Sequence, residues 1–330
     1  MYALSKRNKI SIGVAVAGSL LFPVAMFVIG NTYMILIGCF IQLYLVAVSG
    51  LDVVFGYSGQ ISMGHAGFYA IGAYGSALLH NLYGIPVVLS MILAAVIAGL
   101  IGALIAMPAS RLVFHFLSLA TIAFGEIINQ IISHSPKNIT GNYQGLFTDP
   151  ISLFGYQLDT SFKFYFFGLA CLALALIAKE GIIRSRVGRA FIAIRENTHA
   201  ADGMGINVRK YKVISFTISA VYTAFAGSMY VHLIGYISPD TFTQKQSVLF
   251  MTMLLFGGTA SVLGPTLGVV SILMLTELLR TFKDYQLLIY GALLLIVIVA
   301  LPGGLFGGIK ELFAAVKRKI HKEGQTDGAA

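Results

Sequence analysis

Long apolar runs occupy most of this chain and constrain its fold more than any other feature. Runs of about 20 residues, the length of a membrane-crossing helix, follow one another from residue 10 to residue 301. Charged residues are only 11% of the 330 residues, against about 25% in soluble domains. The pattern predicts an all-α integral membrane protein and excludes a large soluble enzyme domain.

The apolar runs define the predicted spans, and a glycine-rich stretch at 56–67 separates two of them. This stretch leads into a small-residue segment that ends near residue 79. The other spans are predicted at 10–29, 33–54, 86–107, 112–132, 164–178, 213–233 and 287–301.

The basic residues predict the orientation of the chain. Alternating spans from a cytoplasmic N-terminus place the arginines between Arg184 and Arg195, and the basic tail, on the same side as the N-terminus. Basic residues favour the cytoplasmic side, so both termini are expected in the cytoplasm. The number of crossings must then be even.

This parity bears on the apolar run from Val248 to Leu279, which glycines interrupt at 257–265. Two short helices there give about ten transmembrane elements and an even number of crossings. One long tilted helix with glycine packing faces is the alternative. The ten elements are expected to form one domain, 1–330, with inverted pseudo-repeats at about 1–160 and 161–330.

Glycine-rich breaks occupy similar places in the two halves, at 56–67 and 257–265. Inverted repeats with interrupted helices predict a translocation pathway at their interface, and exposed backbone in the membrane must line protein or a water-filled cavity. Capping of the broken helices and close helix packing are the alternative roles. The candidate pathway residues are Gln60, Ser62, Gly64, His65, Gly258, Ser261 and Gly264.

Three acidic residues, Asp52, Glu126 and Glu277, lie near the ends of predicted spans. A charge inside the bilayer is costly and often functional, but the cost falls where the group can reach the interface. A packing or interface role is therefore favoured over a role in transport for each of them.

The segment at about 181–212 is predicted to be a cytoplasmic loop that carries a short helix. Asn197 or Thr198 can cap the start of this helix, and Gly205 can end it. Such a helix suits docking into a groove of a soluble motor; a basic loop on anionic lipid headgroups is the alternative. The candidate coupling residues are Arg195, Glu196, Asn197, His199, Ala200, Ala201 and Gly205.

Motifs for other chemistry are missing from the sequence. There is no G-x-x-x-x-G-K-[ST] motif for a nucleotide and no H-E-x-x-H motif for zinc. The basic stretches lack the features of nucleic-acid modules. We therefore expect no catalytic site, metal or cofactor, and no nucleic-acid partner. A self-sufficient secondary transporter is the alternative of a different class.

Several motifs, in the order in which they follow one another along residues 45–307, resemble those of LivM-type permeases, the membrane subunits of branched-chain amino acid ABC importers. The stretch Gly56–Phe68 resembles their signature, and Leu119–Glu126 resembles their fifth-span motif. Arg195–Asn207 resembles their coupling loop, although His199 stands where the E-A-A-x-x-x-G pattern has an acid. Gly257–Gly268 and Pro302–Leu305 complete the resemblance.

The resemblance implies a multi-pass subunit of the bacterial inner membrane. It implies two cytoplasmic ATP-binding subunits, a second related permease, and a periplasmic or lipid-anchored substrate-binding protein as partners. ATP hydrolysis would belong to the partners. Branched-chain or other small neutral amino acids would be the cargo, with urea, short amides or simple sugars as the alternatives, because a fold fixes mechanism better than substrate.

Overall fold

The structure is a computed structural model. It describes residues 23–24, 26–27, 29–110, 114–136, 139–153, 156–261, 263–282, 291–292, 295, 304–305 and 307. Most of the first predicted span, 10–29, most of the last, 287–301, and the basic tail lie outside the described residues.

The described chain is almost entirely helical, which confirms the predicted all-α class. Asn31 caps the first helix by accepting a hydrogen bond from the Met34 amide at 3.2 Å, and Asn207 caps the eighth in the same way. The helices are α1 Thr32–Asp52, α2 His65–Tyr83, α3 Val87–Ala109, α4 Phe114–Ser133, α5 Ser161–Arg184, α6 Arg186–Glu196, α7 Thr198–Gly203, α8 Val208–Ile234, α9 Gln244–Gly257 and α10 Leu263–Leu278.

Within the described residues, five helical segments are long and apolar enough to cross a membrane by length and composition. The shorter α10 is apolar as well. The expected total of ten elements and the inverted repeat stay predictions. The five segments are Thr32–Tyr57, Val87–Ala109, Phe116–Ser133, Ser161–Arg184 and Val208–Ile234.

Helix α8 packs against α1, α2 and α3 and forms the centre of the bundle. Glycines let its backbone approach α2 closely. A side chain at Gly72 would overlap the Ala224 carbonyl, and one at Gly227 would overlap the Tyr69 carbonyl. Small residues at such crossings are typical of helices that pack in membranes.

Both predicted helix breaks are present. Helix α1 continues into a π-helix, Val53–Tyr57, and the chain is not helical from 58 to 64, before α2 begins. The second break separates α9 from α10, because α9 ends at Gly257 and α10 begins at Leu263. The single long helix considered for this region is therefore wrong.

The bundle has two distinct ends. The strand end carries β1 Leu146–Phe147, which pairs antiparallel with β4 Tyr236–Ile237 so that Leu146 faces Ile237. It also carries the hairpin of β2 Ser152–Leu153 and β3 Tyr156–Gln157. Helix α8 extends between this end and α7. We call the end that carries α6 and α7 the coupling end.

The segment at 181–212 differs most from its prediction as a loop. It consists of the last turn of α5, the helices α6 and α7, and the first turn of α8. Ser185 separates α5 from α6, and its hydroxyl caps α6 by accepting from the Val187 amide at 3.1 Å. The many charges of this segment lie mainly on exposed faces of helices.

Candidate functional site

Helix α7 is the predicted short helix of the coupling segment. Asn197 Oδ1 accepts a hydrogen bond from the Ala200 amide at 3.0 Å, so Asn197 is the N-cap. At the other end Gly205 adopts φ +82°. Its amide donates to Asp202 O at 2.9 Å, and the Ile206 amide donates to Ala201 O at 3.1 Å. These two bonds form a Schellman motif, which fixes the exit from the helix.

The predicted coupling residues come together at the surface of the coupling end. Glu196, Asn197, His199, Ala200 and Gly205 are exposed. Ala201 faces the bundle instead and is fully buried. A groove of ≈ 640 Å³ runs beside the helix, and its lining includes Thr198, His199, Asp202, Gly205 and Arg209.

Helix α6 fastens this surface to the bundle. Its Phe191 is fully buried against Val53 and Tyr57 of the π-helix. Arg195, in its last turn, lies over the first break, where its guanidinium donates to the Gly56 carbonyl. Arg195 is thus the member of the predicted coupling set that also contacts a break.

At the first break, Gln60 is buried against α8. Its Nε2 donates to Ser215 Oγ at 2.8 Å, to Ser58 Oγ at 2.9 Å and to the Lys212 carbonyl at 3.3 Å. These hydrogen bonds connect the first break to the first two turns of α8.

His65 and Ser62 continue the same contact with α8. Ser62 Oγ lies 3.2 Å from His65 Nδ1, and His65 Nε2 lies 2.7 Å from Ser219 Oγ. Gly64 lies against α4, where a side chain would overlap the Thr121 carbonyl. The first break is thus packed and hydrogen-bonded in this conformation, and its role in a pathway stays a prediction.

Two residues with positive φ change the chain direction at the second break, Gly258 at +110° and Ala260 at +55°. Ser261 Oγ then accepts from the Gly264 amide at 2.8 Å and starts α10. Gly264 sits tightly here, since a side chain on it would meet Ser261 Oγ at 2.5 Å. The predicted residues of each break lie together, and the two breaks meet where Gly56 approaches the Ala260 amide.

An ion pair that sequence reasoning missed lies at this meeting point. Lys179 Nζ is 2.8 Å from Asp52 Oδ2, and the two side chains are 1% and 0% exposed. Asp52 was expected to have a packing or interface role, and the structure supports packing. The two residues are 127 positions apart, and the available signal was a charged residue near the end of each of two apolar runs.

The other two acids occupy different surroundings. Glu277 accepts from the Tyr33 hydroxyl at 2.7 Å and pairs with Arg280 at 3.5 Å near the strand end. Glu126 is exposed on α4, about two turns before the helix ends, beside the exposed Ile127 and Ile131.

Comparisons with known proteins agree on one family. The family model described as "Branched-chain amino acid transport system / permease component" matches residues 14–298. The permease protein LivM of the high-affinity branched-chain amino acid transport system of Escherichia coli (strain K12) is 31% identical over 288 residues, which is 80% of this chain and 68% of that protein.

Two further relatives carry similar descriptions. A probable LivM of Methanocaldococcus jannaschii is 26% identical, with 82% of both chains covered. The permease LivH of Salmonella typhimurium is 27% identical over 80% of this chain and 91% of its own length. No solved structure matches this chain. With this family match and this all-α membrane fold, the chain belongs to the family of permease components of branched-chain amino acid transport systems.

Proposed function

We propose that this chain is the translocating subunit of an ATP-driven importer for branched-chain amino acids. The observation that carries the proposal is α7, a capped helix that exposes most of its residues beside a groove at one end of a bundle of the permease family. Because the chain has no nucleotide-binding motif of its own, the energy comes from a separate subunit that binds α7.

Two cytoplasmic ATP-binding subunits are the proposed partners at the coupling end, one on this chain and one on its companion permease. A substrate-binding protein, periplasmic or lipid-anchored, is the proposed partner at the strand end. This assignment places the coupling end in the cytoplasm of a bacterium and the strand end outside its inner membrane. The arginines of 184–195 support it, because they gather at the coupling end.

The exposed face of α4 supports pairing with a second, related permease. Glu126 is exposed on this face, one turn from Ala123 and Gln130, and a carboxylate that faces lipid is costly. A second chain, or an aqueous pathway between two chains, removes that cost.

This pairing predicts a cross-link through α4. Ile127 is 57% exposed beside Glu126. In the Ile127→Cys variant, a short thiol–amine cross-linker is expected to join the two permeases in membranes. Leu174→Cys, 68% exposed on α5, is the matched control and is expected to give little product. Cross-linking at Leu174 but not at Ile127 would contradict the pairing through α4.

Uptake by the complete complex tests the proposed cargo. The chain, its companion permease and the two ATP-binding subunits are placed in proteoliposomes with the binding protein outside and ATP inside. We expect labelled leucine, isoleucine or valine to enter only with ATP. ATP-driven entry of urea, a short amide or a simple sugar instead would contradict the amino acid assignment, and ion-driven flux through this chain alone would favour a secondary transporter.

Ala201 tests the role of α7 in the same assay. Ala201→Glu puts a carboxylate into a fully buried position, which costs several kcal/mol without a partner and displaces α7 from the bundle. Uptake is expected to fall at least tenfold while the protein remains in the membrane. Ala200→Glu is the matched control, because it adds the same charge at an exposed neighbouring position and does not displace α7. Normal uptake by Ala201→Glu would count against the proposal.

A further inference from the structure

A single buried cluster joins the two helix breaks to the coupling segment. At its centre is the ion pair between Asp52, the last residue of α1, and Lys179 of α5. The pair is almost completely buried, so both charges depend on protein groups for all of their hydrogen bonds. The partners in those hydrogen bonds show which part of the chain the pair stabilises.

Both members of the pair bond to the backbone of the second break. Asp52 Oδ1 accepts from the Ala260 amide at 2.7 Å, and Lys179 Nζ donates to the Ser261 carbonyl at 3.4 Å. Residues between α9 and α10 have no helix to satisfy these groups, and Ala260 is held at a positive φ of 55° that a non-glycine residue rarely adopts. The pair therefore fixes the conformation of the second break.

The first break contacts the same cluster. Gly56 packs against the Asp52 carboxylate and the Ala260 amide so closely that a side chain there would overlap both. The Arg195 guanidinium donates to the Gly56 carbonyl, and Gly59, with φ +70°, lies against the Arg195 side chain. Arg195 thus connects the cluster to α6, three residues before α7 begins.

An apolar contact reinforces this connection. Phe191 of α6 is buried against Val53 and Tyr57 of the π-helix, and Ala260 borders the same group. A displacement of α6 must therefore move the π-helix, the Gly56 carbonyl and the second break together.

We propose that Asp52, Lys179 and Arg195 are positioning residues for transport, which transmit movement of α6 and α7 to both helix breaks at once. The inference rests on the proposed function, because it assigns α7 to the contact with the ATP-binding subunit. The cluster acts through the breaks and does not touch the transported solute. Its loss uncouples ATP hydrolysis from uptake.

The test measures leucine uptake per ATP hydrolysed by the complete complex in proteoliposomes. The double variant Asp52→Asn with Lys179→Met removes both charges together, so that neither is left buried alone. We expect it to assemble and hydrolyse ATP with uptake per ATP at least tenfold below wild type. Lys163→Met is the control on the same helix, because Lys163 pairs with Asp159 at 2.7 Å in an exposed position; it is expected to keep the wild-type ratio.

A second variant keeps the test decisive if the double variant does not assemble. Arg195→Met cuts the link between α6 and Gly56 without changing the ion pair, and it is expected to retain its ATP-binding subunits on purification while losing uptake per ATP to the same extent. A wild-type ratio in either assembled variant would overturn the inference. If the wild-type complex shows no ATP-dependent leucine uptake, the proposed function fails first, and the inference fails with it.

Discussion

At the scale of single residues, the backbone conformation at position 205 favours glycine. It adopts φ +82° at the end of α7, while Gly203, two residues earlier, has no positive φ. An added side chain meets nothing within 4 Å at either position. The two glycines therefore differ in backbone conformation and not in available space, which makes them a matched pair.

Valine at these two positions separates the backbone requirement from side-chain bulk. Gly205→Val forces a β-branched residue into the left-handed region, at a cost of about 1–2 kcal/mol or more, and breaks the Schellman motif. We expect uptake to fall about tenfold through weaker binding of the ATP-binding subunit, measured by co-purification. Gly203→Val should retain most of the uptake and most of the binding to the ATP-binding subunit. Equal behaviour of the two variants would show that the exit from α7 is unimportant.

Buried polar partners were harder to predict than backbone features at this scale. The cap at Asn197 and the end at Gly205 follow from local chemistry, and the structure confirms both. The partner of Lys179 depends on which helix α5 packs against, and nothing near residue 179 specifies Asp52. The sequence likewise marked Gln60 and His65 as unusual but could not indicate that Ser215 and Ser219 of α8 would satisfy them.

At the scale of elements, strong apolar runs and glycine clusters made the helices and their breaks predictable. The amphipathic α6 was not predicted. Its Arg186–Glu196 sequence carries charges on one face and buries Phe191 and Ile194 on the other. In a membrane protein such a segment resembles a basic loop when only its charges are considered. Its 3.6-residue periodicity was the signal that could have identified it.

The hairpin of α9 and α10 depends on glycines at the helix contact. A side chain at Gly268 would overlap the Met253 carbonyl, and a backbone atom cannot move aside as a side chain can. Gly268→Leu is therefore expected to destabilise the protein by about 1–3 kcal/mol or more. The expected result is a lower folded yield on size exclusion in detergent. Gly181→Leu on α5, where nothing lies within 4 Å, is the control, and an equal loss for both would argue against the close contact.

At the scale of the whole molecule, the orientation in the membrane decides whether the parts work together. Helix α7 and the two breaks share one end of the bundle, and the strands lie at the other end. An importer of the proposed kind needs α7 in the cytoplasm, where ATP is available, and the strand end facing the substrate-binding protein. The charge distribution predicts this orientation, and it can be measured on intact cells.

Two exposed residues report the two ends. Met204 beside α7 is 71% exposed, and Tyr143 at the strand end is 61% exposed. We expect a membrane-impermeant maleimide to label Tyr143→Cys in intact cells, and Met204→Cys only after the membrane is opened, because the reagent cannot reach the cytoplasm. The native Cys39 is buried and Cys171 half-buried, so the unsubstituted protein supplies the background. Labelling of Met204→Cys in intact cells would place α7 outside, beyond the reach of any ATP-binding subunit, and the coupling mechanism would then fail together with the orientation.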